Sequence, residues 1–202
     1  VTMRSQVSID KAEYSRWLGS RDYRDTAEIS TPTGSGTIDK GSGNLTYANT
    51  DFEINTGVMG LSLTRTYNSQ SDKQGMFGNG WYDSFHRELY HVGDQVVFQD
   101  SDGSCLAFEK NGDSYTCEET KEYTLEEEPE EQEKTYELEE KTEAGETQET
   151  VKKTISYQWT LMDKDQNITR FDANGTMVSQ EDANGNFLLY EMDETGLLKT
   201  VT

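Results

Sequence analysis

Three copies of the tetrapeptide Asp-x-x-Gly stand between residues 172 and 196, in the run FDANGTMVSQEDANGNFLLYEMDETG. They begin at Asp172, Asp182 and Asp193, and a looser version without glycine, DKDQ, begins at Asp163. The tetrapeptide prescribes a chain reversal. An aspartate at the start of a turn accepts backbone N–H bonds, and the two central residues suit a type I turn. The glycine takes the left-handed position that returns the chain to a strand with a bulge. The predicted structural turn residues are therefore Asp172, Gly175, Asp182, Gly185, Asp193 and Gly196. Between the turns lie TMVSQE and NFLLYEM, each long enough for one short strand. The two-strand unit returns after 21 residues, Phe171-Asp172-x-x-Gly175 reappearing as Met192-Asp193-x-x-Gly196. Such a period, with one hairpin per unit, belongs to architectures that grow by adding strands.

Upstream the pattern is again β. In VMGLSLTRTYN, the residues Met59, Leu61, Leu63 and Tyr67 alternate with Ser62, Thr64 and Thr66, as in a half-buried strand. The glycine-spaced aromatics of QGMFGNGWYDSF follow. Trp81, Tyr82 and Phe85 there are either core packing, the expected role of large aromatics, or a platform for a sugar. In DQVVFQDSDGSCLAFEK, Asp102-Gly103 signals a two-residue hairpin that would pair Val97 with Phe108 and Phe98 with Ala107. Lys110-Asn111-Gly112 reads as a three-residue turn. It would place Cys105 opposite Cys117, with Cα atoms about 4.5–5.5 Å apart, within reach of a disulfide. The alternative is two packed thiols. Residues 31–43 are rich in Gly, Ser and Thr and read as loop or linker. Residues 8–23 read as a short helix or irregular structure.

Charge divides the chain. Its formal net charge is −21, and only 32% of its residues are hydrophobic. An acidic chain without a basic patch excludes nucleic acid and anionic membrane surfaces as partners. Between Glu118 and Glu149 stand 15 Glu against 3 Lys. The first expectation for this stretch is a solvated, partly disordered insertion. The second is a charged hairpin, because TYEL and ISYQWTL alternate, with Ala144-Gly145 near its tip.

Catalytic chemistry has little support. His86 and His91 are five apart, on opposite faces of a strand, and the cysteine spacing does not fit a zinc knuckle. Asp163-x-Asp165-x-Asn167 opens like a calcium loop, but Ile168 and Asn174 stand where that loop needs Gly and Glu. No glycine-rich phosphate loop is present. No cofactor is expected, and the chain is read as non-enzymatic. A start at Val1 reads as a piece cut from a longer protein.

FDANG and DETG resemble the tyrosine–aspartate (YD) repeats of the Rhs/teneurin group, with Phe171-Asp172 and Met192-Asp193 where Tyr-Asp is usual. Gly43-Asn44-Leu45, Thr64-Arg65-Thr66-Tyr67-Asn68 and Phe77-Gly78-Asn79-Gly80-Trp81 are similar to the segment that opens the repeat region in bacterial Rhs and wall-associated toxin proteins. The resemblance covers roughly residues 34–117 and 157–202. It implies a mainly β fold of antiparallel strands and hairpins, the start of a spiral sheet or shell around a C-terminal toxin or effector domain. The expected organisation is 1–33 as a flanking segment, 34–117 as a repeat-initiating domain, 118–156 as the acidic insertion or hairpin, and 157–202 as repeats. The expected partners are the rest of the same chain and, through its exposed last strand, further copies. The rival function is adhesion to carbohydrate or a cell-surface protein. The implied location is extracellular or cell-wall-associated, in a bacterium.

Overall fold

The computed structural model describes residues 18–21, 24–32, 34–54, 59–112, 114–141, 148–193 and 197–202. Every named strand pair is antiparallel, as the short alternating segments and their turns require. Most of the segment read as a helix or irregular structure lies outside the described residues, as do Gly196 and Ala144-Gly145.

A five-stranded sheet is formed by β1 (Thr26–Thr31), β2 (Gly34–Asp39), β3 (Leu45–Ile54), β4 (Leu61–Asn68) and a later strand, β7 (Trp81–Asp83), in that spatial order. A two-stranded hairpin, β5 (Gln74–Gly75) and β6 (Gly78–Asn79), fills the connection before β7. The Gly/Ser/Thr-rich stretch is thus not a linker over its whole length: residues 34–39 form β2, flanked by β1 and β3. Its glycines allow the close approach, since a Cβ on Gly34 would lie 2.5 Å from the Ala48 carbonyl oxygen and one on Gly36 2.7 Å from that of Thr46.

The second sheet has ten strands in an order that follows the chain: β8 (Glu88–Val92), β9 (Gln95–Gln99), β10 (Cys105–Asn111), β11 (Ser114–Thr116), β12 (Tyr123–Lys141), β13 (Gln148–Asp163), β14 (Ile168–Phe171), β15 (Met177–Glu181), β16 (Phe187–Met192) and β17 (Leu198–Val201). It is an open, curled half-barrel, consistent with the start of a YD-repeat spiral or shell. The curl is visible at its first strand. Glu88 bridges to Thr176, and the Leu89 N–H donates to the Gly175 carbonyl at 2.8 Å, so β8 meets the turn between β14 and β15.

One hydrophobic core joins the two sheets. Leu89, Val96, Phe98, Leu106, Phe108, Leu125, Trp159, Phe171, Met177 and Tyr190 line the inner face of the half-barrel. Met59, Leu61 and Leu63 of the small sheet's β3–β4 hairpin pack against them. Met59, Leu61 and Leu63 of the expected face thus close one side of the curl, whereas Tyr67 packs on Trp81 and the opposite face of β4 buries Thr66 and Asn68. A smaller cluster of Val97, Cys105 and Ala107 lies on the opposite face.

The acidic stretch is not a disordered insertion over its described length. It supplies much of the two longest strands, 19 and 16 residues. Alternation explains this. Glu133, Thr135, Glu137 and Glu139 face solvent, where a carboxylate keeps its water, while Lys134, Tyr136 and Leu138 turn to protein. Across the pair, Thr135 meets Thr154 at 2.8 Å and Lys152 meets Glu137 at 3.0 Å, which relieves repulsion along the glutamates.

Candidate functional site

The repeated turns share one geometry. At Asp172, the backbone N–H donates to the Thr176 carbonyl at 2.9 Å and the Gly175 N–H returns to the Asp172 carbonyl at 3.0 Å. The carboxylate Oδ1 accepts the N–H groups of Asn174 (2.9 Å) and Thr176 (2.8 Å). Asp182 repeats this with Asn184 and Asn186, both at 2.9 Å, and hydrogen bonds led by the Asn186 side chain hold its carboxyl below the usual carboxylate range. At Asp193, Oδ1 accepts the Leu197 N–H at 3.0 Å. Gly175 and Gly185 adopt φ of 82° and 83°, the left-handed region open to glycine. The DKDQ variant makes the same turn, with Gln166 at φ 66° in the glycine position. The Asp163 carboxylate is occupied there by the N–H groups of Asp165 and Asn167 and by the Asn167 side chain.

A further copy was legible but read otherwise. Asp100-Ser101-Asp102-Gly103 is also Asp-x-x-Gly, and it closes like the others: Asp100 N–H to Ser104 O at 2.8 Å and Gly103 N–H to Asp100 O at 2.9 Å. Three residues, Ser101, Asp102 and Gly103, separate the bonded Asp100 and Ser104, rather than the two of an Asp102-Gly103 hairpin. The register is accordingly Val97 opposite Ala107 and Phe98 opposite Leu106, one residue from that expected of a two-residue Asp102-Gly103 hairpin.

The turn after β10 corrects a second expectation. Asn111 pairs with Ser114, Lys110 with Tyr115 and Glu109 with Thr116, so the pairing runs closer to the reversal than a Lys110-Asn111-Gly112 turn allows. Continued by one step, this register sets Cys117 beside Phe108, and both lie in the inner core. Cys105 lies in the cluster on the other face. Side chains on a strand alternate, so the three-residue slip moves the two sulfurs to opposite sides of the sheet instead of opposite each other.

The aromatics of QGMFGNGWYDSF divide among three environments. Phe85 is in the inner core, against Phe52 and Tyr190. Tyr82 is 4% exposed, its hydroxyl 2.7 Å from Ser71 and its pKa pushed by burial up to about 12. Trp81 is half-buried, with Tyr67 at 5.4 Å and the Arg65 guanidinium at 5.4 Å from its ring. They do not share one flat platform. A cleft of about 340 Å³ opens beside Trp81, between the β5–β6 hairpin and the Gly175 turn. Its charged groups are largely engaged: Lys73 with Glu88 at 3.2 Å, and His86 Nδ1 with the buried Asp83 at 2.7 Å. His91 is exposed, its ring 5.9 Å from that of Trp159. Among the described residues no three His, Cys, Asp or Glu side chains gather as a metal-holding group.

Polar groups fix the joint between the sheets. The fully buried Asn68 accepts at Oδ1 from the Gly19 N–H (2.7 Å) and the Asn44 Nδ2 (2.9 Å), and donates from Nδ2 to the Asp102 carbonyl (2.7 Å). Asn44 and Asn68 are the asparagines of the Gly-Asn-Leu and Tyr-Asn motifs. They tie the N-terminal segment, the small sheet and the Asp100 turn of the large sheet together.

The β12–β13 hairpin contributes a feature that no local signal marked. Between Glu127 and Gln132 its register shifts, with Glu128, Pro129, Glu130 and Glu131 standing opposite a single residue, Gln158. A bulge bends a strand and re-aims its side chains. Trp159, before the bulge, faces the inner core, whereas Tyr157, beyond it, lies against the outer face of the sheet. The distal hairpin thus folds over β14–β17 as a strap. The Arg170 guanidinium donates to the Tyr136 hydroxyl (3.0 Å) and Glu181 (2.8 Å) under the Tyr157 ring. Lys134 adds an ion pair to Glu181 at 2.5 Å, and Tyr136 packs its ring 4.4 Å from that of Phe187. Burial opposes ionisation of Glu181, but hydrogen bonds from Lys134 and Arg170 prevail and hold its carboxyl below the usual range.

A family match falls on the region that carries the joint. Residues 35–108 match the model of a domain of unknown function, DUF6531. The tRNA nuclease WapA of Bacillus subtilis strain 168 is 29% identical over 101 residues. The tRNA3(Ser)-specific nuclease WapA of Bacillus spizizenii is 29% identical over the same length. Each alignment covers 50% of this chain and 4% of the relative, so the chain spans a small fraction of the proteins it matches. Together with the Asp-x-x-Gly sheet, these matches link the chain to the Rhs/YD-repeat-associated and WapA-like polymorphic toxin proteins.

Proposed function

We propose that this chain is a non-catalytic scaffold that starts and caps the β-shell of a secreted or wall-associated bacterial polymorphic toxin carrier. The small sheet closes one side of the curl. The half-barrel provides the first wall, and strands added after β17 continue it around a C-terminal effector. The observation that carries this reading is the closure of β8 onto the Gly175 turn, with the β3–β4 hairpin packed on the same inner face. That arrangement seals one end of a sheet while its β17 edge stays open to growth. The likeness to nucleases named for tRNA supports an effector of that class in the longer protein, outside this chain.

The test is limited proteolysis of the longer protein, intact and lacking residues 34–117. Loss of protection of its C-terminal region on deletion is the expected result. Protection that persists without the capping region overturns the proposal.

A further inference from the structure

We propose that the underside of the strap, beyond its last contact with β17, is the docking surface for the next strand of the sheet. That strand is taken to be the one the longer protein adds antiparallel to β17. The inference rests on the reading above that the sheet grows at this edge.

The argument begins with the path of the strap. Its underside carries Tyr157, Ile155, Lys153 and Val151 on β13, and Lys134, Tyr136 and Leu138 on β12, with Lys134 paired to Ile155, Tyr136 to Lys153 and Leu138 to Val151. Tyr157 lies on Arg170 of β14. Tyr136 reaches Ser179 of β15 and Phe187 of β16. Lys153 reaches Glu191 of β16 at 3.2 Å and Thr202, just past β17, at 3.1 Å. From Tyr157 to Lys153 the strap advances four residues, roughly 13 Å, while the sheet advances two to three strand spacings, roughly 9–14 Å. It therefore runs steeply across the strands, passing about one strand for every one to two residues of its length.

The next underside pair, Leu138 and Val151, follows two residues further out. At the same pitch it lies beyond β17, over the position of the next strand. Its chemistry changes there. The preceding pair meets a charged counterpart, Lys153 against Glu191, whereas Leu138 and Val151 are apolar. The hydrophobic residues of β17 offer them nothing, because Leu198 and Val201 pack on the inner core. Leu138 and Val151 belong to neither hydrophobic cluster and remain half-buried. An apolar pair overhanging an open strand edge fits a strand with apolar side chains on its outer face. β16 is such a strand, with Phe187 and Leu189 facing outward, since Glu181 pairs with Phe187 and Ser179 with Leu189. The strap would hold the first added strand in register and shield it from slippage, which a short edge strand otherwise permits.

The experiment appends a second copy of residues 182–202 after Thr202, which supplies a turn, a β16-like strand, a turn and a β17-like strand. Thermal unfolding is compared for four proteins: with and without the appended unit, and with and without Leu138→Ser plus Val151→Ser. The appended unit is expected to raise the melting temperature and to protect β17 amides from hydrogen exchange. The double substitution should then cost the extended protein about 2–4 °C more than the original chain. An equal loss in both chains makes Leu138 and Val151 ordinary packing of the strap, and no loss in either means the strap does not reach the added strand. Both results overturn the inference while leaving the growth of the sheet intact. If the appended unit neither stabilises nor protects β17, the reading of an edge built for growth fails, and this inference fails with it.

Discussion

The hairpins of β14–β17 and the hairpin of β12–β13 reach order by opposite routes. The first are short strands whose reversals are written residue by residue: aspartate to accept N–H groups, glycine at positive φ, a fixed spacing between them. The second is long, dense in glutamate and interrupted by a proline-containing bulge. Its local signal is the weak alternation of TYEL and ISYQWTL. It is held by what it lies on, a buried arginine, two lysine–glutamate pairs and one aromatic contact. One region is specified by turn chemistry and the other by a surface supplied from elsewhere in the chain.

Substitution of the turn glycines separates local from tertiary demands most sharply. Gly175 and Gly185 share the left-handed conformation, but a Cβ on Gly175 would lie 2.0 Å from the Leu89 carbonyl oxygen, while one on Gly185 meets nothing within 4 Å. Gly175→Val should cost more than about 3 kcal/mol in urea unfolding, combining backbone strain with displacement of β8. Gly185→Val should cost only the strain, about 1–2 kcal/mol. Equal losses would mean that β8 does not close on the Gly175 turn.

Tyr136→Ala tests the strap. It removes a buried ring and leaves the Arg170 guanidinium without its hydroxyl acceptor. The expected cost is about 2–3 kcal/mol, with raised hydrogen exchange in residues 132–157 and little change in the β9–β10 amides. Uniform loss of protection across the chain would make the strap an integral part of the sheet's cooperative unit.

Acid should loosen the strap. The Glu181 carboxyl titrates below its unfolded value, so its contribution is complete above about pH 4.5 and declines as pH falls through the lowered folded value. Glu181→Gln should flatten this part of the stability–pH curve. An unchanged curve would mean that Lys134 and Arg170 do not favour the charged carboxylate.

The smallest effect concerns the thiols. With Cys105 and Cys117 on opposite faces, protein purified without reductant should take up two alkyl groups on denaturation, and oxidant should leave its melting temperature unchanged. A mass two hydrogen atoms lighter that resists alkylation would restore the three-residue turn and overturn the register of β10 and β11.

The sequence by itself determined the antiparallel β class, the reversals at Asp172 and Asp182, and the apolar positions at the start of β4 that meet the core. Each depends on chemistry within a few residues: a carboxylate reaching the next N–H groups, a glycine's freedom, a period of two. Where two local rules competed, sequence reasoning chose the wrong one. Asp102-Gly103 alone signals a two-residue hairpin, but the tetrapeptide beginning at Asp100 closes first, and the pairing of Val97 and Phe98 shifts by one. After β10 a three-residue shift of register decided which face Cys117 occupies. Only the tertiary structure decided that β8 seals against Gly175, that the glycine-rich stretch becomes a strand, and that the acidic segment folds back as a strap. These outcomes depend on partners far away in the chain: Leu89 for Gly175, Tyr47 and Ala48 for the glycines of β2, Arg170 and Phe187 for Tyr136. A glutamate-rich strand has no reason to order until a face bearing arginine and an aromatic ring lies beneath it, and that face exists only after the sheet has curled.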